Sequence, residues 1–184
     1  MDEYKLRAEH VHRRLRSVMD QTFFCIIGAQ RSGTTWLYTM LDAHPGIAMA
    51  RPAYPEPKYF LRPESEIETS GTYAERYFTH AAAPAIIGEK GTSYMEHPEA
   101  APRIKRLFPE ARVIAILRHP VQRAISNYRF SVKNGIENRT MHEVFIRNVP
   151  EPDIPKGISV SPFNYIGRGD YALGLLPYRE VFGT

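Results

Sequence analysis

Residues 23–37 pass from an apolar run through a glycine-bounded loop into a helical pattern, and few chain paths accommodate that succession. Phe23-Phe-Cys-Ile-Ile27 is short, wholly apolar and bounded by loop chemistry, which reads as a strand buried in a parallel sheet. Gly28-Ala-Gln-Arg-Ser-Gly33 makes the turn, and Thr34 opens a helix predicted over 34–43. The glycine spacing is that of a Walker A loop, G-x-x-x-x-G, but Thr34 stands where that loop has lysine, and Arg31 supplies a cation earlier. Converging N–H groups followed by the positive end of a helix hold an anion whatever side chains surround them. A tight turn needing glycine for geometry alone is the plainer reading, and the strand before and helix after favour the anion. The absent lysine argues against ordinary ATP or GTP chemistry and leaves a phosphate loop for another donor.

A chain of 184 residues suits one α/β domain whose core requires neither metal nor disulfide. The one cysteine, Cys25, falls inside the first apolar run and reads as a small core residue. No stretch reaches the roughly 20 apolar residues needed to cross a bilayer. The chain opens with Asp2, Glu3 and Lys5 in place of a signal peptide, so the expectation is a soluble cytoplasmic protein with no membrane partner. A net charge of +4 favours anionic ligands without indicating nucleic acid. The basic residues His10, His12, Arg13, Arg14 and Arg16 accompany an apolar stripe of Leu6, Val11, Leu15 and Val18, which reads as a solvated helix and not as a nucleic-acid arm.

Periodicity predicts that the helix over 34–43 packs through Trp36, Leu37, Met40 and Leu41. A loop stiffened by Pro52, Pro55 and Pro57 follows. Next come a helix over 71–80, a buried strand at 85–87 with Glu89-Lys90 just past its end, and a helix over 98–108 packing through Ile104, Leu107 and Phe108. The clearest strand is 112–117; Pro120 then opens a helix with Val121, Ile125, Tyr128 and Val132 on one face. Beyond Thr140 the pattern weakens to a helical turn at 141–147, a loop at 150–162 and a helix at 171–182. Alternating strands and helices with right-handed crossovers imply a three-layer α/β/α fold around a central parallel sheet. Ligands bind such sheets at the carboxyl ends of the strands, where the Gly28 loop, Glu89-Lys90 and Arg118 gather on one rim.

Arg118 leaves the end of the clearest strand and Ser126 lies about two turns into the next helix. They reach one phosphate together, or they are a surface ion-pair arginine and a solvent-facing serine. Glu56, held among prolines, is a candidate to take a proton from an acceptor hydroxyl, or else a solvated loop carboxylate. Lys90 suits a transferring anionic group and equally a pairing with Glu89.

Gly28-Ala-Gln-Arg-Ser-Gly-Thr-Thr-Trp-Leu37 resembles the 5′-phosphosulfate loop of sulfotransferases that use 3′-phosphoadenosine 5′-phosphosulfate (PAPS), and Arg118 with Ser126, eight residues on, is similar to their 3′-phosphate motif. Glu56-Pro-Lys-Tyr-Phe60 resembles the Glu-Pro-His-Phe-Phe segment of heparan sulfate and related carbohydrate sulfotransferases, in which that Glu is the catalytic base. Glu89-Lys-Gly-Thr-Ser-Tyr94 resembles their Glu-Lys-Ser/Thr-Pro-x-Tyr segment, whose Lys contacts the transferring sulfuryl group. The resemblance covers residues 22–135 and is loose beyond them.

It implies that Gln30, Arg31, Ser32, Gly33, Thr34 and Thr35 hold the phosphosulfate and that Arg118 and Ser126 hold the 3′-phosphate. Glu56, Lys90 and Arg31 are then the catalytic residues, no metal takes part, and 3′-phosphoadenosine 5′-phosphate (PAP) is the second product. The implied acceptor is a saccharide or small molecule offering a hydroxyl or an amine, and the implied unit is a single sulfotransferase domain lacking the usual C-terminal portion. Lys58 stands where such enzymes often have His, Leu61 where they often have Asp, and Gly91-Thr-Ser93 lacks the usual Pro, departures that bear on the acceptor. Arg31 replaces the Lys of many cytosolic members. Two other readings stand beside this one: a P-loop kinase, which calls for Lys at position 34 and an acidic Mg²⁺ partner, and a noncatalytic PAP-binding module. Should Glu56 not be the base, His119 and His97 come next.

Overall fold

The computed structural model describes residues 21–67, 69–81, 85–154 and 161–183, and the basic N-terminal stretch at 6–18 lies outside them. Four parallel strands, β1 (Thr22–Gly28), β2 (Ile47–Met49), β3 (Ile86–Lys90) and β4 (Arg112–Ala115), form one sheet in the order β2-β3-β1-β4. Six helices accompany them among the described residues: α1 (Thr34–Asp42), α2 (Ser70–Tyr77), α3 (Ala100–Leu107), α4 (Pro120–Lys133), α5 (Met141–Phe145) and α6 (Tyr171–Phe182). None of them is long and apolar enough to cross a membrane.

Side chains alternate across a strand, so β1 serves two cores. Phe23, Cys25 and Ile27 pack with Tyr73 and Tyr77 of α2, Ile104 of α3 and Tyr178 of α6, while Phe24 and Ile26 pack with Leu37, Tyr38 and Leu41 of α1. Helices thus cover both faces of the sheet, which is the expected three-layer arrangement and the reason the β1 sequence is apolar throughout. The Phe23 ring stacks on Phe108 at 3.9 Å, and each such fully buried side chain stabilises the fold by roughly 1.5–3 kcal/mol. Because β2 and β3 lie on one side of β1 and β4 on the other, strand order reverses beside β1, and its carboxyl end opens on the rim where such sheets bind ligands.

Several expectations are corrected. Strand β2, only three residues long, carries too little pattern to announce itself; it forms because Ile47, Ala48 and Met49 find Ile86, Ile87 and Gly88 as partners. Strand β3 continues to Lys90, since pairing with β1 runs on through Cys25–Glu89 and Ile26–Lys90, so these two residues belong to the strand and not to the loop after it. Trp36 is 69% exposed and Met40 is exposed as well, because α1 rests on the sheet through Leu37, Tyr38 and Leu41. On α4, Val121 and Val132 are exposed and the buried stripe is Arg123, Ala124, Asn127 and Ser131. That polar stripe faces a non-helical segment whose backbone carbonyls need donors: Asn127 Nδ2 and Ser131 Oγ each lie 3.4 Å from the Pro162 oxygen, and Arg123 donates to the Tyr165 oxygen.

Candidate functional site

The loop after β1 is tied at its start to the chain after β4. Ala29 N donates to Ile116 O and Ile116 N to Gly28 O, both at 2.9 Å, which carries Arg118 alongside the loop. Arg118 then donates to the Arg31 carbonyl at 3.3 Å. Gly33, with φ of +98°, precedes α1 in a backbone region that favours glycine, and its successors expose the unpaired amides of the first helical turn. Arg31 also has positive φ, +69°; its Nε lies 3.4 Å from Ser126 Oγ and its guanidinium 4.6 Å from the centre of the Phe130 ring. The hydroxyl of Ser32 is buried with no hydrogen-bond partner among the described residues.

Across a cavity of about 390 Å³ from this loop stands Glu56. The hydroxyl of Thr92 donates to its carboxylate at 2.9–3.0 Å, the Thr92 amide at 2.9 Å and Lys90 Nζ at 3.0 Å. Lys90 reaches it because β3 turns residue 90 toward the α1 face, where its ammonium sits over the rings of Tyr54 at 4.8 Å and Tyr38 at 5.6 Å. The Tyr54 hydroxyl lies 3.0 Å from Thr35 Oγ1 and links the proline loop to the first turn of α1. Lys90 therefore pairs with Glu56 and not with Glu89, because neighbours in a strand point to opposite faces. Glu89 instead enters the other core, where Tyr73 and Tyr94 each donate a hydroxyl to it, and burial pushes its carboxyl up to about 7.

Gln30, Arg31, Gly33, Thr34, Thr35, Arg118, Ser126 and Glu56 all line the one cavity, which continues past Arg31 and Phe130 into a groove of about 710 Å³. Four cations, Arg31, Arg118, Arg129 and Lys133, border that groove. Ser32 and Lys90 are not on the cavity wall, but Lys90 acts on it through Glu56. His97 pairs with Glu99 at 3.2 Å and His119 is exposed at the start of α4; neither lines the cavity. Thr92, Tyr54 and Phe130 escaped the sequence reading. Thr92 follows Glu89-Lys90-Gly91 and Tyr54 lies among the prolines, but nothing in a hydroxyl's or ring's sequence neighbours announces a partner 36 or 19 residues away. Among the described residues no group of three His, Cys, Asp or Glu is placed to hold a metal ion.

Comparison with known proteins agrees with this geometry. A profile described as Sulfotransferase family matches residues 24–150. Over 111 residues, 60% of this chain, the sequence is 36% identical to a protein of Dictyostelium discoideum named membrane-associated sulfotransferase kil1, of which the match covers 23%. Over 178 residues, 86% of this chain, it is 25% identical to a Drosophila melanogaster bifunctional heparan sulfate N-deacetylase/N-sulfotransferase, of which the match covers 17%. The chain thus spans less than a quarter of the length of either relative. A crystal structure of a sulfotransferase from Alicyclobacillus acidocaldarius superposes with a TM-score of 0.69 at 25% identity, covering 89% of this chain and 70% of that one.

Proposed function

Because this chain belongs to the sulfotransferase family, we propose that it transfers a sulfuryl group from PAPS to a hydroxyl or amine of a saccharide or similar polar acceptor. One observation carries the reading: a carboxylate, Glu56, faces an anion loop across a single cavity and is gripped there by a lysine and a threonine. The residues fit a donor with phosphate at both ends. The first amides of α1 suit the phosphosulfate, and Arg118 with Ser126 suits the 3′-phosphate.

Bound there, PAPS supplies an activated sulfur whose bond to the phosphate oxygen breaks as the acceptor oxygen or nitrogen bonds to it. Glu56 accepts the proton that the acceptor loses, and Thr92, through its amide and hydroxyl, holds both carboxylate oxygens in place. Arg31 and Lys90 offset the charge that grows on the sulfuryl and bridging oxygens. Holding the donor at both ends converts part of the barrier into prepaid positioning. A saccharide acceptor is supported by the Glu56-Pro segment and by relatives named for heparan sulfate N-sulfation.

The test is transfer of ³⁵S from labelled PAPS to a panel of saccharides, amines and phenols, with PAP and ATP compared for thermal stabilisation of the protein. Sulfation of at least one acceptor and stabilisation by PAP alone are expected. Turnover of ATP without PAPS identifies a kinase instead, and PAP binding without transfer to any acceptor identifies a noncatalytic module.

A further inference from the structure

We propose that Arg168 is a positioning residue that sets the side-chain amide of Gln30, so that Nε2 and not Oε1 is presented to the anion held by the loop; this rests on the donor-binding reading of the loop. Arg168 lies in the 3-10 turn Gly167–Gly169, past the residues that the family profile covers, and its side chain is 3% exposed. Its guanidinium is over-determined by four separate stretches of chain. Nε donates to Glu96 Oε2 at 2.7 Å, one terminal nitrogen to Asn127 Oδ1 at 3.2 Å, and the other to the Ser161 carbonyl at 2.7 Å. The nitrogen that meets Asn127 also donates to Gln30 Oε1, 138 residues away in sequence. Glu96 supplies the counter-charge that lets the cation stay buried.

The consequence for Gln30 follows from donor and acceptor chemistry. A glutamine amide has an accepting oxygen and a donating nitrogen, and a guanidinium can only donate. With Oε1 committed to Arg168, a flip would set N–H against N–H. Nε2 is therefore turned away from Arg168, and it has no hydrogen-bond partner among the described residues. Gln30, like Thr92, lines both the donor cavity and a second cavity of about 260 Å³ that Arg168 lines. The oxygens of a phosphosulfate only accept, so an amide presenting nitrogen binds them and one presenting oxygen repels them. Arg168 thereby removes the wrong orientation before the donor arrives, which is preorganisation of a contact by a residue that never touches the ligand.

The experiment measures PAP affinity by calorimetry for the wild type, R168K, R168M, Q30M, Q30E and R168M/Q30M, each first checked for a folded melting transition well above the assay temperature. Lysine at 168 still donates to Oε1, so R168K should stay within about threefold of wild type, whereas R168M and Q30M should each weaken binding about tenfold, as expected for loss of one charge-assisted contact. The double variant should be no weaker than Q30M, because both changes remove one shared contact. Q30E keeps the bond to Arg168 but aims an oxygen at the anion, and it should bind more weakly than Q30M. Should R168M not fold, R168K and the two Gln30 variants decide the matter. Additive losses in the double variant, or Q30M and Q30E binding PAP as the wild type does, overturn the inference. A wild-type protein that fails to bind PAP overturns the donor reading and this inference with it.

Discussion

Lys90 Nζ lies 3.0 Å from Glu56 Oε1, with the lysine side chain 2% and the glutamate side chain 11% exposed. An ion pair on the surface contributes little, but a pair sealed to this degree leaves an uncompensated charge when one partner is removed. The contact therefore sets both the resting state of the candidate base and the cost of deleting it.

Glu56→Gln should lower turnover by about 10²- to 10⁴-fold, the usual contribution of a positioned base, while leaving PAP affinity unchanged. It should also destabilise the protein by roughly 3 kcal/mol because Lys90 loses its counter-charge. Steady-state sulfation and calorimetric PAP titration on the same preparation check this; full turnover by the variant would assign the base elsewhere.

Arg118→Ala should weaken PAP binding by about 1.5–3 kcal/mol, the range for a hydrogen bond to a charged group. The loss should shrink with added salt, since Arg118 is exposed and its field is screened. Unchanged PAP affinity would remove Arg118 from the 3′-phosphate site.

Glu89 gives a pH dependence with a definite sign. Its carboxyl is raised from the ordinary 4.5 to about 7, first because burial disfavours the charge, with the hydroxyls of Tyr73 and Tyr94 acting in the opposite sense. A raised folded value means that the native state holds the proton more tightly than the unfolded chain. The stability this adds is complete below the unfolded value and is lost as pH rises through about 7. Over that window it amounts to about 3 kcal/mol. Urea unfolding between pH 4.5 and 8 should show the decline in the wild type and a flatter profile in Glu89→Gln; equal slopes would refute the assignment.

Gly91→Ala should destabilise the fold by about 1–3 kcal/mol, the usual cost of overpacking a core. A Cβ at this position would sit 2.1 Å from the Tyr94 ring, which is itself held by Glu89. Since Lys90 and Thr92 flank the site of the clash, turnover should fall as well, and PAP binding should hold. A thermal melt together with sulfation kinetics separates the two effects.

The path from strand through the Gly28–Gly33 loop into α1 was legible because its signals are local: an apolar run, two glycines and a helix start announce themselves within fifteen residues. The three-layer architecture followed for the same reason, as did α6, whose observed span Tyr171–Phe182 is the expected one. Strand β2 was not legible, because three residues carry no period and depend on an edge that another strand provides. The buried face of α4 misled for a related reason: its apolar stripe is genuine, yet the segment that covers the helix brings unpaired carbonyls, and these select the polar stripe.

The sequence by itself determined the family of the chain, the loop that defines it and the residue types gathered on the rim of the sheet. Only the tertiary structure decided how those residues are paired. Whether Lys90 meets Glu89 or Glu56, whether Glu56 is solvated or gripped by Thr92, and whether Arg168 reaches Gln30 all depend on which strand face and which distant segment come together. Local propensity is carried by neighbours in the chain, whereas hydrogen bonds and ion pairs are short-ranged in space, and packing of the whole sheet and its helices is what converts one kind of proximity into the other.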